Sequence, residues 1–151
     1  MRLANLDDVD SILRVERTSY THPWTAAILK DCIKPGYEVW IVHQPGDSSE
    51  IIGYGVISAA AGEAHLLNLC VSSGFRGLGV AAYLLSHLMS RGMLLNADTM
   101  FLEVRESNKS AISLYSKVGF NEIGIRRGYY PTHQGVESAI VMACELKLWI
   151  E

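Results

Sequence analysis

No stretch of this sequence approaches the roughly 18 uninterrupted apolar residues of a membrane-spanning helix, although nearly half of its 151 residues are hydrophobic. Residues 1–151 have the length of one domain, so that apolar share is expected in a core with a cleft, and no membrane partner is expected. Basic charge is in short supply as well: 13 lysines and arginines face 16 acidic residues, for a net charge of -3. Nucleic-acid binders concentrate a basic face, so direct nucleic-acid binding is not expected, while a basic peptide would be a compatible partner. Only three cysteines occur, Cys32, Cys70 and Cys144, with no Cys-x-x-Cys pair. That spacing suits neither a disulfide framework nor a structural zinc site, and reduced, buried thiols are expected. The five histidines are isolated too, none three or four residues from another, and no metal is expected. Met1 to Asp10 reaches acidic residues at once without a basic stretch leading into an apolar one. A secretory leader is therefore not expected, and the expected location is cytoplasmic.

What is present has the pattern of a mixed α/β layer. Leu6 to Tyr20 puts Val9, Ile12 and Leu13 on one helical face, and Thr25 is placed to cap a second helix to about Ile33, before Pro35-Gly36. Tyr37–Val42, Ile51–Ser58 and His65–Val71 read as strands joined by turns at 45–49 and 61–63, an antiparallel meander. The pattern then changes to helix (about Val80 to Arg91), strand (Thr99 to Arg105) and helix (Lys109 to Val118), ended by Gly119 as a C-terminal cap. With the strand before it this is a β-α-β-α unit, followed by two further strands, about Asn121 to Arg127 and Val136 to Leu146.

The segment richest in chemical meaning is Arg76-Gly77-Leu78-Gly79-Val80-Ala81-Ala82, between a strand and a helix. Small residues let backbone approach a ligand, and the free amides of a helix N-terminus attract a pyrophosphate without a lysine. An ordinary glycine-bearing turn is the plain alternative. Gly77-x-Gly79-x-x-Ala82 also satisfies the dinucleotide pattern, which needs an acidic residue near the end of the next strand. Asp98 has the spacing but precedes its strand, and a meander comes first, so the context of that pattern is missing.

Arg76-x-x-Gly79-x-Ala81 fits another signature, Gln/Arg-x-x-Gly-x-Gly/Ala, and on it the chain resembles the GNAT family of N-acetyltransferases. The likeness runs through Pro23-Trp24, Leu69-Cys70-Val71, Leu102-Glu103-Val104-Arg105, Asn108, Leu114-Tyr115 and Gly119-Phe120. Arg126 to Pro131 and Ala139 to Met142 narrow it to members that acetylate the N-terminal alanine of a small-subunit ribosomal protein. The resemblance implies a mixed central sheet, acetyl-CoA as co-substrate, and the N-terminus of a ribosomal protein or similar basic peptide as acceptor. It implies that the turn from Arg76 through Gly77, Leu78, Gly79, Val80 and Ala81 to Ala82 holds the coenzyme, with Asn108 as a further contact. The strand Leu69-Cys70-Val71 is expected to offer backbone groups to the pantetheine arm.

Glu103 interrupts an apolar strand, where a carboxylate is costly unless it is paired or used. A structural ion pair, an exposed strand face and a proton acceptor are all open; the resemblance implies the acceptor. Tyr115 lies two turns beyond Asn108 on the face of Ala111 and Val118, so its ring points inward. It is either a core tyrosine or, as the resemblance implies, the general acid for the departing thiolate. Cys70 has no recognisable activating neighbour, which favours direct attack by the amine over an acyl-cysteine. Trp24, Tyr129 and Tyr130 are candidates for the acceptor side or for loop anchors. Ser72-Ser73-Gly74 lacks the Asp-Pro common before the loop, and the first strand looks abbreviated. A small amine or lysine side chain as acceptor, or a non-catalytic acyl-CoA sensor, are the competing functions.

Overall fold

The computed structural model describes residues 1–20, 23–132 and 135–148. The first helix starts as its sequence suggests. Asn5 Oδ1 accepts from the Asp7 amide and Asp8 Oδ2 from the Asn5 amide, so a short 3-10 turn, Leu6–Asp8, leads into α1, Val9–Ser19. Val9, Ile12 and Leu13 are all buried. Thr25 Oγ1 accepts from the Ile28 amide and caps α2, Ala26–Asp31, which ends two residues short of expectation as the Cys32 and Ile33 amides tighten onto the carbonyls of Leu29 and Lys30.

Among the described residues, seven strands form one sheet in the order β1-β2-β3-β4-β5-β7-β6. They are β1 (Arg2–Leu3), β2 (Tyr37–Gln44), β3 (Asp47–Ala60), β4 (Glu63–Val71), β5 (Thr99–Arg105), β6 (Asn121–Thr132) and β7 (Gly135–Glu145). All neighbours are antiparallel except β4 and β5, whose parallel pairing requires the crossover helix α3, Val80–Leu94. The helix α4, Lys109–Val118, joins β5 to β6, and Gly119 ends it at φ +120°. The mixed α/β reading, the meander and the β-α-β-α unit thus stand. β3 begins inside the segment read as a turn, because Gln44 pairs with Asp47 across Pro45-Gly46. β1 has only two residues, in keeping with an abbreviated first strand.

Two cores lie on opposite faces of the sheet. α1 and α2 cover Val39, Ile41, Tyr54, Val56 and Cys70, while α3 and α4 cover Ile57, Leu66, Met100, Leu102 and Val104. A Cβ on Gly55 would stand 2.5 Å from Leu88 Cδ1, so glycine is what lets α3 settle onto β3. Alternation along β5 turns Phe101, Glu103 and Arg105 to the other face, towards the side where α1 lies on β3 and β4. The three cysteines are buried and free. Among the described residues no helix is long and apolar enough to cross a membrane, and no group of His, Cys, Asp or Glu gathers to hold a metal.

Candidate active site

The cleft arises where two parallel strands part. β4 and β5 pair only through Glu63–Leu66 and Thr99–Leu102, after which β5 remains attached to β7 and β4 to β3. Between the separated halves opens a cavity of about 1030 Å³. At the parting point Val56 pairs with Asn68 but Ile57 with Leu66, leaving Leu67 as an extra residue in β4. This bulge turns Asn68 and Cys70 to the α1 face.

The glycine loop forms one end of the cleft. Gly77 and Gly79 have φ of +77° and +82°, and nothing lies within 4 Å of a Cβ built on either. Backbone conformation, not crowding by the protein, therefore calls for glycine at both positions. Gly79 is the N-cap of α3 and has no side chain to satisfy its first amides, the condition for an anion site. Arg76, Gly77, Gly79, Ala81 and Ala82 line the cleft, whereas Leu78 is 71% exposed and Val80 packs into the core. The latter two side chains are thus outside the cavity, leaving their main chain as the available contact. Arg76 Nε donates to the Val71 carbonyl at 3.3 Å and ties the loop to β4. Asn108 caps α4, its Oδ1 accepting from the Ala111 amide, and also lines the cleft.

Leu69, Cys70 and Val71 form part of one wall. The Leu69 carbonyl already accepts from the Tyr20 hydroxyl at 2.9 Å. Burial pushes the Cys70 thiol up to about 11, and the thiol faces the Val15 carbonyl, an arrangement that keeps it protonated.

Glu103 and Tyr115 both line the same cleft. Glu103 Oε1 stands 2.8 Å from Arg126 Nε, with the carboxylate side chain 26% exposed, so the ion pair left open by the sequence is present. Tyr115 is buried against Phe120, and burial, with a smaller contribution from Tyr130, raises its phenol above the ordinary range. Tyr130 is pushed up to about 12 by burial and then by Glu103, and Arg105 lies over its ring. Trp24 and Tyr130 are in the cleft wall; Tyr129 is not. The cause is an irregularity in β6, where Arg126 pairs with Ala139 and Tyr130 with Glu137, pushing Arg127-Gly128-Tyr129 outward. Gly128, at φ +62°, permits the excursion.

Sequence reading missed Glu16 and Tyr20. Glu16 is 1% exposed and borders the cleft, accepting from the Tyr54 hydroxyl (2.6 Å), Asn68 Nδ2 (3.1 Å) and the Trp24 amide (2.8 Å). Its signal was positional: it lies seven residues after Val9, four after Ile12 and three after Leu13, a carboxylate on the apolar stripe of α1.

The model of the acetyltransferase (GNAT) family matches residues 6–120. The chain is 36% identical over 140 residues to the ribosomal protein bS18 alanine N-acetyltransferase of Haemophilus influenzae, covering 92% of this chain and 93% of that protein. Against its Escherichia coli counterpart the identity is 32% over 141 residues, covering 93% of each. The crystal structure of the Escherichia coli enzyme superposes with a TM-score of 0.90, at 31% identity, over 99% of this chain and 95% of that one.

Proposed function

The chain belongs to the acetyltransferase (GNAT) family, and from that premise we propose that it transfers acetyl from acetyl-CoA to the N-terminal amine of a protein, the alanine of a small-subunit ribosomal protein. The observation that carries the reading is the convergence of the glycine loop, Glu103 and Tyr115 on one cleft, opened where β4 and β5 part. The uncapped first turn of α3 and the two positive-φ glycines suit the coenzyme's phosphates, and Asn108 and the β4 wall lie along the same cavity. Acetyl-CoA, when bound, supplies the acetyl group activated as a thioester.

The residues' own tasks follow from the acceptor. As the amide forms, one N–H proton leaves to solvent; before that the chain-terminal ammonium, with a pKa of about 7.7 to 8.0, must lose a proton to become the attacking amine. Glu103 takes that proton, directly or through water, while Arg126 holds the carboxylate in the cleft wall. Tyr115, its phenol raised by burial, keeps its proton at neutral pH and donates it to the leaving sulfur. This acceptor implies work in the cytoplasm, with no direct contact to nucleic acid or membrane.

The test compares kcat/KM for an alanine-starting basic peptide, a lysine peptide with a blocked N-terminus, and spermidine. The alanine peptide is expected to react fastest, with mass spectrometry placing one acetyl on its first amine. Faster acetylation of spermidine or the lysine peptide would refute the acceptor, and no transfer to any of them would point to a sensor.

A further inference from the structure

Glu16 has no part in the proton transfers above, yet it is the most deeply buried charged side chain described, at 1% exposure. Its partners come from three separate elements. Tyr54 belongs to β3 and Asn68 to β4, while the Trp24 amide lies in the connection between α1 and α2. Asn68 reaches Glu16 only because the extra residue at Leu67 turns its side chain to the α1 face. The two hydrogens of Asn68 Nδ2 are divided between Glu16 Oε1 and the Tyr54 hydroxyl, 2.7 Å away, so that the Tyr54 proton is directed at the carboxylate. Burial, followed by the Glu16 charge, pushes the Tyr54 phenol far up and keeps it a donor.

One oxygen of Glu16 is thus anchored to the sheet, and the other accepts from the Trp24 main chain. Thr25, the next residue, caps α2, so the end of the connection is held from both sides. Trp24 lines the cleft together with Tyr20, Glu103 and Tyr130. We infer that Glu16 is a positioning residue for the acceptor: by fixing the Trp24 main chain it sets the shape of the cleft mouth and thereby the preference for a small first residue. This rests on the protein N-terminal acceptor proposed above.

The test uses Glu16→Gln and the milder Tyr54→Phe, each assayed with two basic peptides differing only in an alanine or leucine at the first position. Glu16→Gln removes the charge that strengthens all three hydrogen bonds, so KM for the alanine peptide is expected to rise about fivefold or more. The kcat at saturating peptide should stay within about twofold, because Glu16 is assigned no role in the chemical step. Acetyl-CoA affinity by calorimetry should not change, and the preference for alanine over leucine should shrink. Tyr54→Phe should move KM the same way by less, and it decides the matter should Glu16→Gln fail to fold. Unchanged peptide KM and selectivity in the folded variants, or a loss confined to kcat or acetyl-CoA affinity, overturns the role of Glu16 alone. A wild-type protein that acetylates spermidine but neither peptide instead overturns the acceptor reading on which it stands.

Discussion

Glu103 and Tyr115 differ in how the fold treats a polar side chain, and that difference makes their proposed roles separable. Glu103 keeps partial exposure and a guanidinium at 2.8 Å, so Glu103→Gln retains an oxygen for Arg126 and leaves packing intact. Tyr115 is buried against Phe120, so Tyr115→Phe removes one oxygen from a ring already held by apolar contact. Each change is expected to lower kcat by about 10²- to 10⁴-fold with little effect on acetyl-CoA affinity, provided chemistry limits turnover. Raising the pH should partly rescue Glu103→Gln, since more acceptor amine is then neutral, and should not rescue Tyr115→Phe. Stopped-flow or steady-state pH-rate profiles that superimpose on wild type for both variants would remove both residues from the mechanism. The sequence offers Cys70 no recognisable activating histidine or electropositive neighbour, and in the structure burial raises its thiol, outweighing the nearby Arg76. Glu16 was harder to read because its three donors lie 8, 38 and 52 residues away.

At the scale of elements, the loop into α3 carries the coenzyme reading, and its geometry allows a sharp test. A Cβ at Gly79 meets no protein atom within 4 Å, so within the protein itself the effect of a substitution there comes from φ +82°. Asparagine tolerates the left-handed region and a β-branched residue does not. Gly79→Asn should therefore keep much of the acetyl-CoA affinity, while Gly79→Val should lose about tenfold or more as the α3 amides are turned away, with folded circular-dichroism spectra for both. Equal calorimetric affinities for the two variants would show that the left-handed turn is not what binds. The α3 and α4 starts, β5 and Gly119 were all readable in advance, because caps and periodicity are local. The outward turn of Tyr129 was not, since it depends on where β7 sets the register of β6.

Across the whole molecule, Arg91 on α3 grips Glu38 on β2 with two hydrogen bonds of 2.8 and 2.7 Å, over Trp40. Arg91 lowers the Glu38 carboxyl below its usual range, outweighing burial. A depressed carboxyl stabilises the fold above its unfolded pKa of about 4.3, and that contribution disappears as pH falls through the lower folded value. Arg91→Met should accordingly reduce Tm by roughly 4 °C at pH 7, with the gap to wild type closing towards pH 3. Thermal melts showing the same gap at both pH values would mean that packing of the arginine stem, rather than its charge, holds α3 to β2.

Helix faces, the meander, the parallel crossover, the glycine loop and the placement of Tyr115 were determined by the sequence itself, because each follows from interactions within a few residues or from a contiguous motif. The parting of β4 and β5, the Leu67 bulge that aims Asn68 at Glu16, the Arg126 partner of Glu103 and the choice of Tyr130 over Tyr129 were decided by tertiary structure alone. Strand register is a long-range property: shifting the pairing by one residue moves every side chain to the opposite face, and no local pattern records where the partner strand stops.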